Sequence, residues 1–464
     1  MPNGLVYSGL ARCLEALSPN AFTSLFYGPT FRKWYIHPMK VTTLLIGFIF
    51  LLFVAPAAAQ NTSYLHCGRI IDGAGNTATE QTIVVKDGKI SRVAQGYIQA
   101  ENGVEVVDLR SSTVLPGLID LHVHIESQSS PGTYLERFTM DPADVALRAT
   151  TYCEKTLMAG FTTVRDLGGT GVNVSLRSAV NKGYIKGPRI YTAEKSIAST
   201  GGHADPSNGR SRELSFDAGP EAGVINSSDE AYQAVRTRYK MGADCIKITA
   251  TGGVLSVAKD GQGPQFRTEE IEAIVAAAKD YGMHTAAHAH GKEGMERAIR
   301  AGITTIEHGT YMDEETMDLM IEHGTIYVPT LLAGAFVAEK AKIPGYFPAV
   351  IVPKALTIGP ALISTFGEAY RHGVTIAFGT DSGVSAHGDN AKEFALMVKA
   401  GMPPMKAIMA ATSVAAGVLD RSDDLGQVKA GFVADLVAVK GNPLENIRLL
   451  EDVHYVMQGG KRVK

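Results

Sequence analysis

Cysteine is scarce in this chain of 464 residues: only Cys13, Cys67, Cys153 and Cys245, with no C-x-x-C pair. That excludes a zinc knuckle and a dithiol redox motif, and it leaves thiols that read as small buried hydrophobes. An excess of one charge is also missing. With 44 basic against 47 acidic residues, the net charge is −3, and no basic face for nucleic acid stands out. The apolar run at 41–54 is short for a membrane helix, which takes about 20 residues. Nucleic acid is therefore not an expected partner and no stable membrane span is expected after processing, while assembly with further copies of the chain stays open.

Glycine is plentiful instead, 49 residues clustered at the ends of apolar runs. This fits a fold with many tight strand-to-loop transitions. The length leaves room for an α/β barrel, which takes about 250 residues, and a smaller unit beside it.

Lys40, the apolar run 41–54 and Ala57-Ala58-Ala59 after Pro56 follow the order of a secretory signal: positive start, apolar middle, small-residue cleavage site. The expectation is a signal peptide at 39–59, cleavage after Ala59 and a secreted or periplasmic product beginning at Gln60. Because signals have short leading regions, Met39-Lys40 reads as the true start, with 1–38 as an over-extended stretch.

Both ends of the remaining chain are strand-like. Thr82-Ile-Val-Val-Lys86, the turn Asp87-Gly88 and Lys89-Ile-Ser-Arg-Val93 read as a hairpin. The same texture returns in Ala434-Asp-Leu-Val-Ala-Val439 and Val453-His-Tyr-Val-Met457. The expected arrangement is a small β-sandwich made from 60–114 and 427–464. The middle, 115–426, alternates apolar runs with amphipathic stretches such as Thr268 to Tyr281 and Met295 to Ala301. The strand candidates are 117–122, 162–165, 189–193, 245–249, 284–287, 304–307, 326–329 and 375–378. Such interleaving predicts a (β/α)8 TIM barrel, with a doubly wound sheet as its competitor. Histidines and acids just after the strand candidates favour the barrel, whose sites lie at the C-terminal strand ends. The stretch 331–353 shows no decisive pattern and reads equally as lid, helix or pocket wall.

His122-Val-His124 ends the first strand candidate, and residues two apart on a strand face one side. His288 and His290 follow the run 284–287, His308 follows 304–307, and Asp381 follows 375–378. Lys247 lies within Cys245-Ile-Lys-Ile-Thr249, a strand too apolar to welcome an unpaired ammonium. A carbamate formed from the neutral amine and carbon dioxide would explain it and would supply a bridging oxygen ligand; a salt-bridged or snorkelling lysine is the alternative. Imidazole and carboxylate donors suit zinc and, less selectively, other divalent first-row ions, and the ligand count fits two of them.

Leu115-Pro-Gly-Leu-Ile-Asp-Leu-His-Val-His124, Glu307-His-Gly-Thr-Tyr311, Gly379-Thr-Asp-Ser-Gly383 and Gly431-Phe-Val-Ala-Asp435 together resemble the amidohydrolase superfamily. Ser199-Thr-Gly-Gly-His203 and Lys247 are similar to its imidazolonepropionase-related branch of Xaa-Pro dipeptidase-like, carboxypeptidase-like and ochratoxin-degrading enzymes. The resemblance implies one metal on His122, His124 and Asp381, a second on His288 and His308, and an N6-carboxylated Lys247 bridging both. It also implies that Asp381 shuttles the proton and that His203 contacts substrate. His290 stands where dipeptidase relatives often have tyrosine. His387, in the loop 383–389, is a further substrate-contact candidate, and Arg165-Asp166 reads as a structural pair at the barrel mouth.

The expected reaction is hydrolysis of the amide bond of a dipeptide or N-acyl amino acid. Asp381 takes a proton from water and returns it to the leaving amine, while His203 or His290 helps to stabilise the oxyanion. A deaminase or cyclic-amide hydrolase of the same superfamily is the alternative. Lys247 weighs against the mononuclear members, and the intact ligand positions weigh against a non-catalytic binding protein on a dead barrel.

Overall fold

The computed structural model describes residues 62–257 and 261–464. The proposed signal peptide, the alternative start and Cys13 lie outside these residues. The first four strands are β1 (Thr62–Ile71), β2 (Thr77–Lys86), β3 (Lys89–Gln95) and β4 (Glu105–Pro116). The last three are β14 (Leu436–Lys440), β15 (Tyr455–Gln458) and β16 (Lys461–Arg462). All seven join in one sheet of order β16-β15-β14-β4-β1-β2-β3. The sheet curls back on itself: Lys89 bridges Val433, and Ile90 N–H donates to Phe432 O at 2.8 Å. Curling encloses a separate apolar core that includes Leu65, Ile83, Ile90, Leu109, Leu436 and Tyr455. The two ends thus bury apolar surface against each other, as a sandwich does, but through a single continuous sheet.

The barrel strands are nearly continuous apolar runs because both of their faces are covered. One ladder holds β5 (Leu118–Val123), β6 (Phe161–Asp166) and β7 (Arg189–Thr192). The short pair β8 (Ala198–Ser199) and β9 (Val224–Ile225) stands apart from it. A second ladder holds β10 (Cys245–Thr249), β11 (His284–Ala289), β12 (Thr305–His308) and β13 (Ile326–Val328), all parallel.

Single bridges close the ring. Asp244 N–H donates to Thr192 O, and Ile197 pairs with Ile248, joining the two ladders. Tyr327 pairs with Ile376, Leu121 N–H donates to Phe378 O, and Val123 pairs with Ser382. The extended segment 375–378 is therefore the eighth stave, after three from one ladder and four from the other. Helices alternate with the staves and are stopped by ordinary caps. Ser227 accepts from Glu230 N–H at the start of Ser228–Met241, and Gly242 at φ 95° ends it.

The stretch that pattern left open folds as helix Leu331–Lys340, followed by helix Val352–His372. The two cross closely, because a side chain at Gly359 would strike the carbonyl of Gly334 at 2.8 Å. Among the described residues, no helix is long and apolar enough to cross a membrane. Cys67, Cys153 and Cys245 are buried free thiols, pushed up to about 12 by desolvation, as expected for small core hydrophobes.

Candidate metal centre

The C-terminal ends of the staves bring the predicted residues together. β5 delivers His122 with His124 just beyond it, β10 delivers Lys247, and β11 delivers His288 with His290 one residue past its end. β12 ends on His308, and Asp381 follows the eighth stave. The rings form a chain of contacts: His122–His308 at 5.1 Å, His308–His288 at 4.7 Å and His288–His203 at 4.4 Å between centroids. His308 sits at φ 71° and Asp381 at φ 56°, a left-handed backbone that costs non-glycine residues about 1–3 kcal/mol each. At His308 the kink brings in a ring that strict strand alternation would send out.

The imidazoles of His122, His124, His288, His290 and His308 are each anchored through one ring nitrogen. His122 Nδ1 lies 2.8 Å from Glu307 Oε2, and His124 Nδ1 lies 2.7 Å from Gly168 O. Both acceptors can only accept, so each Nδ1 carries the proton and each Nε2 keeps its lone pair. His288 uses Nε2 toward Gly252 O at 3.1 Å, which leaves Nδ1 free. His308 Nδ1 meets Thr330 Oγ1 at 2.7 Å, and His290 Nδ1 meets Thr310 Oγ1 at 2.7 Å. Burial first, and neighbouring positive groups second, hold His122, His288 and His308 well below the usual imidazole range.

These lone pairs converge on oxygen. Asp381 Oδ1 is 3.4 Å from His124 Nε2 and 3.6 Å from His122 Nε2. It is buried without a hydrogen-bond partner among the described residues. Ligand atoms of His122, His308 and Asp381 all lie within 4.8 Å of one another. Lone pairs facing a buried carboxylate repel unless a cation sits between them, so the donor set fits a divalent metal. Lys247 Nζ lies 3.4 Å from His122 Nε2 and makes no ion pair among the described residues. Desolvation brings its amine down to about 8, against the opposing pull of Glu307 and Asp381. Desolvation likewise raises Asp381 to about 6.

Glu307 is the partner that sequence reasoning missed, although it opens the motif Glu307-His-Gly-Thr-Tyr311. It is fully buried and accepts from His122, from Arg165 Nη2 at 2.9 Å and from Thr305 Oγ1 at 2.5 Å. Arg165 and Asp166 do not pair with each other. Arg165 serves Glu307 and Leu121 O, while Asp166 accepts from Ile125 N–H and Asn173 Nδ2. The available signal was alternation on β12, which puts Thr305 and Glu307 on one face.

A cavity of about 180 Å³ opens above the centre. His203 and His290 line it; burial takes both down to about 3. His387 does not line it. Its ring stacks on Tyr152 at 4.7 Å and its Nε2 meets Ser127 O at 2.8 Å, because the 383–389 loop folds back over helix Pro142–Met158. The expected substrate contact is thus replaced by a structural one. The opposite wall is apolar, with Ala333, Gly334 and Val337 on one helix, Ile358 and Leu362 on the next, and Val254 and Leu255 from a loop. No arginine lines the cavity among the described residues.

Barrel, site and comparisons agree on the class: this chain belongs to the amidohydrolase family, whose profile matches residues 113–463, and it is a hydrolase of amide bonds. It is similar to the ochratoxinase of Aspergillus niger, at 31% identity over 442 residues, covering 89% of each chain. Among solved structures it resembles a Xaa-Pro dipeptidase with methionine bound in the active site. Identity there is 51% and the TM-score 0.85, covering 87% of this chain and all of that one. It also resembles a prolidase complexed with N-methylphosphonate-L-proline, at 32% identity and TM-score 0.79, covering 87% of this chain and 99% of that one.

Proposed function

We propose that this chain is a secreted, binuclear amidohydrolase that cleaves the amide bond of dipeptides or N-acyl amino acids in the manner of a carboxypeptidase. The observation that carries the reading is the convergence of six side chains. His122, His124 and Asp381 would hold one ion, and His288 and His308 a second. Lys247, carboxylated on its amine, would join them. A buried lysine with no ion pair among the described residues is better explained as an anionic carbamate than as an ammonium. Zinc suits the nitrogen and oxygen donors, and when bound it would supply a water acidic enough to ionise near neutral pH and an electrophile for the carbonyl.

Asp381 takes the proton of the attacking water and returns it to the leaving amine, since its unpartnered Oδ1 faces the centre. His290, whose ring is locked by Thr310, and His203, which stacks on His288, stand where they can donate to the carbonyl or to the leaving group. The apolar wall excludes water from the acyl and side-chain groups and favours apolar substituents. The dipeptidase, prolidase and ochratoxinase relatives support an amino acid with a free carboxylate as the leaving product.

The test is a hydrolysis screen of dipeptides and N-acyl amino acids, with metal content measured on the same sample. Two ions per chain and release of a free amino acid are expected. A single ion with deamination or ring opening would transfer the chain to the alternative reading.

A further inference from the structure

Thr249 is 3% exposed, yet its Oγ1 has no hydrogen-bond partner among the described residues. A buried hydroxyl left unpaired costs about 1–3 kcal/mol, so its position needs a reason. It lines the cavity. It lies two residues beyond Lys247 on β10, on the same face and roughly 6.6 Å nearer the barrel mouth. Its register partner on β11 is His288, the ring on which His203 stacks. His203 Nδ1 is also buried and unpartnered, while its backbone N–H is tied to Gln265 Oε1 at 2.7 Å. Two unsatisfied polar atoms thus flank His288 on the mouth side of the centre, in a cavity that offers no arginine.

We infer that the Thr249 hydroxyl, beside His203, is a substrate-binding donor for the free carboxylate of the leaving amino acid. The step outward from Lys247 is of the same order as the reach from a scissile carbonyl, across the amide nitrogen and Cα, to that carboxylate. The carboxylate accepts the Thr249 O–H and the His203 N–H, satisfying both orphan groups when substrate is present. This rests on the amide-hydrolase reading above, and it adds a residue that sets the preference for free acids over blocked C-termini.

The experiment compares wild type, Thr249→Val and Thr249→Ser, all metal-loaded, on N-acetyl-L-phenylalanine and N-acetyl-L-phenylalaninamide. Calorimetry of L-phenylalanine and L-phenylalaninamide binding runs alongside. Valine keeps the shape and removes the hydroxyl. Thr249→Val should lose about 10–100-fold in kcat/KM on the acid and in affinity for L-phenylalanine. The blocked compounds should be nearly unaffected, metal content unchanged, and serine should restore the preference. An unchanged acid-to-amide ratio and unchanged L-phenylalanine affinity in Thr249→Val would overturn the inference. If wild type cleaves neither N-acetyl compound, the functional reading fails separately, and the binding arm still decides the role of Thr249.

Discussion

Glu307 offers the sharpest test of how the centre is held. It is fully buried and accepts three hydrogen bonds, from His122, Arg165 and Thr305. Glu307→Leu removes all three hydrogen bonds at once. The first consequence is electrostatic: Arg165, also fully buried, has its ion pair only with Glu307 among the described residues. Stranding such a cation costs about 3–5 kcal/mol. The second is geometric: without an acceptor at Nδ1, His122 no longer has its proton fixed there, and a lost outer partner lowers metal affinity about 10–100-fold. The two effects separate in Glu307→Leu/Arg165→Met. Replacing a buried pair by apolar side chains is often neutral, so urea unfolding should show most of the lost stability restored. Metal affinity, measured by competition with a chelator, should stay low because His122 still lacks its acceptor. Recovery of both properties in the double variant would refute the orienting role and leave Glu307 as a partner of Arg165 alone. Wild-type metal affinity in the single variant would refute it as well.

Three other substitutions probe the remaining parts. Lys247→Ala should abolish metal-dependent turnover, with partial return on adding a short carboxylic acid; full activity without the acid would remove the carbamate. Asp381→Asn should retain part of the metal and lose turnover, so normal turnover with metal in place would exclude it as the proton shuttle. At Gly253 a Cβ would fall 2.2 Å from His203 Cε1, so Gly253→Ala must displace that ring. A shift of this size should cost about 100-fold in kcat/KM with metal content intact, read by steady-state kinetics and metal analysis. Unchanged kinetics would mean that His203 does not touch substrate.

The staves were legible because each is an apolar run closed by glycine, polar residues or a turn. Even 375–378, which lacks a regular ladder, was marked by its apolar residues and by Asp381 beyond them. The clustering of His122, His124, Lys247, His288, His308 and Asp381 was legible for the same reason, since one end of each stave faces one mouth. What could not be read depends on tertiary partners. His308 follows Glu307 directly, and alternation cannot put both side chains inside; the left-handed turn at His308 does so at the cost of local strain. Helix Leu331–Lys340 is apolar on most sides because it is wedged between the cavity and helix Val352–His372, so it lacks the polar stripe that marks a surface helix. His387 follows a predicted ligand closely in sequence, but its loop reverses onto Tyr152 and takes the ring away.

The wall and the metal centre share one anchor, and this limits how the site can change. Glu393, buried on helix Lys392–Lys399, accepts the N–H groups of Leu331 at 2.8 Å and Leu332 at 2.6 Å. A carboxylate at the start of helix Leu331–Lys340 caps its free donors and its positive dipole end. The residue just before that helix is Thr330, held at φ 54°, and its hydroxyl meets His308 Nδ1. A movement at the head of the wall helix is therefore a movement of the group that orients His308. Ala333 and Val337 lie further along the same helix, facing the cavity and away from this joint. Substrate preference can drift at those positions while the metal ligands stay in register, whereas a change at Thr330, Leu331 or Glu393 alters shape and chemistry together.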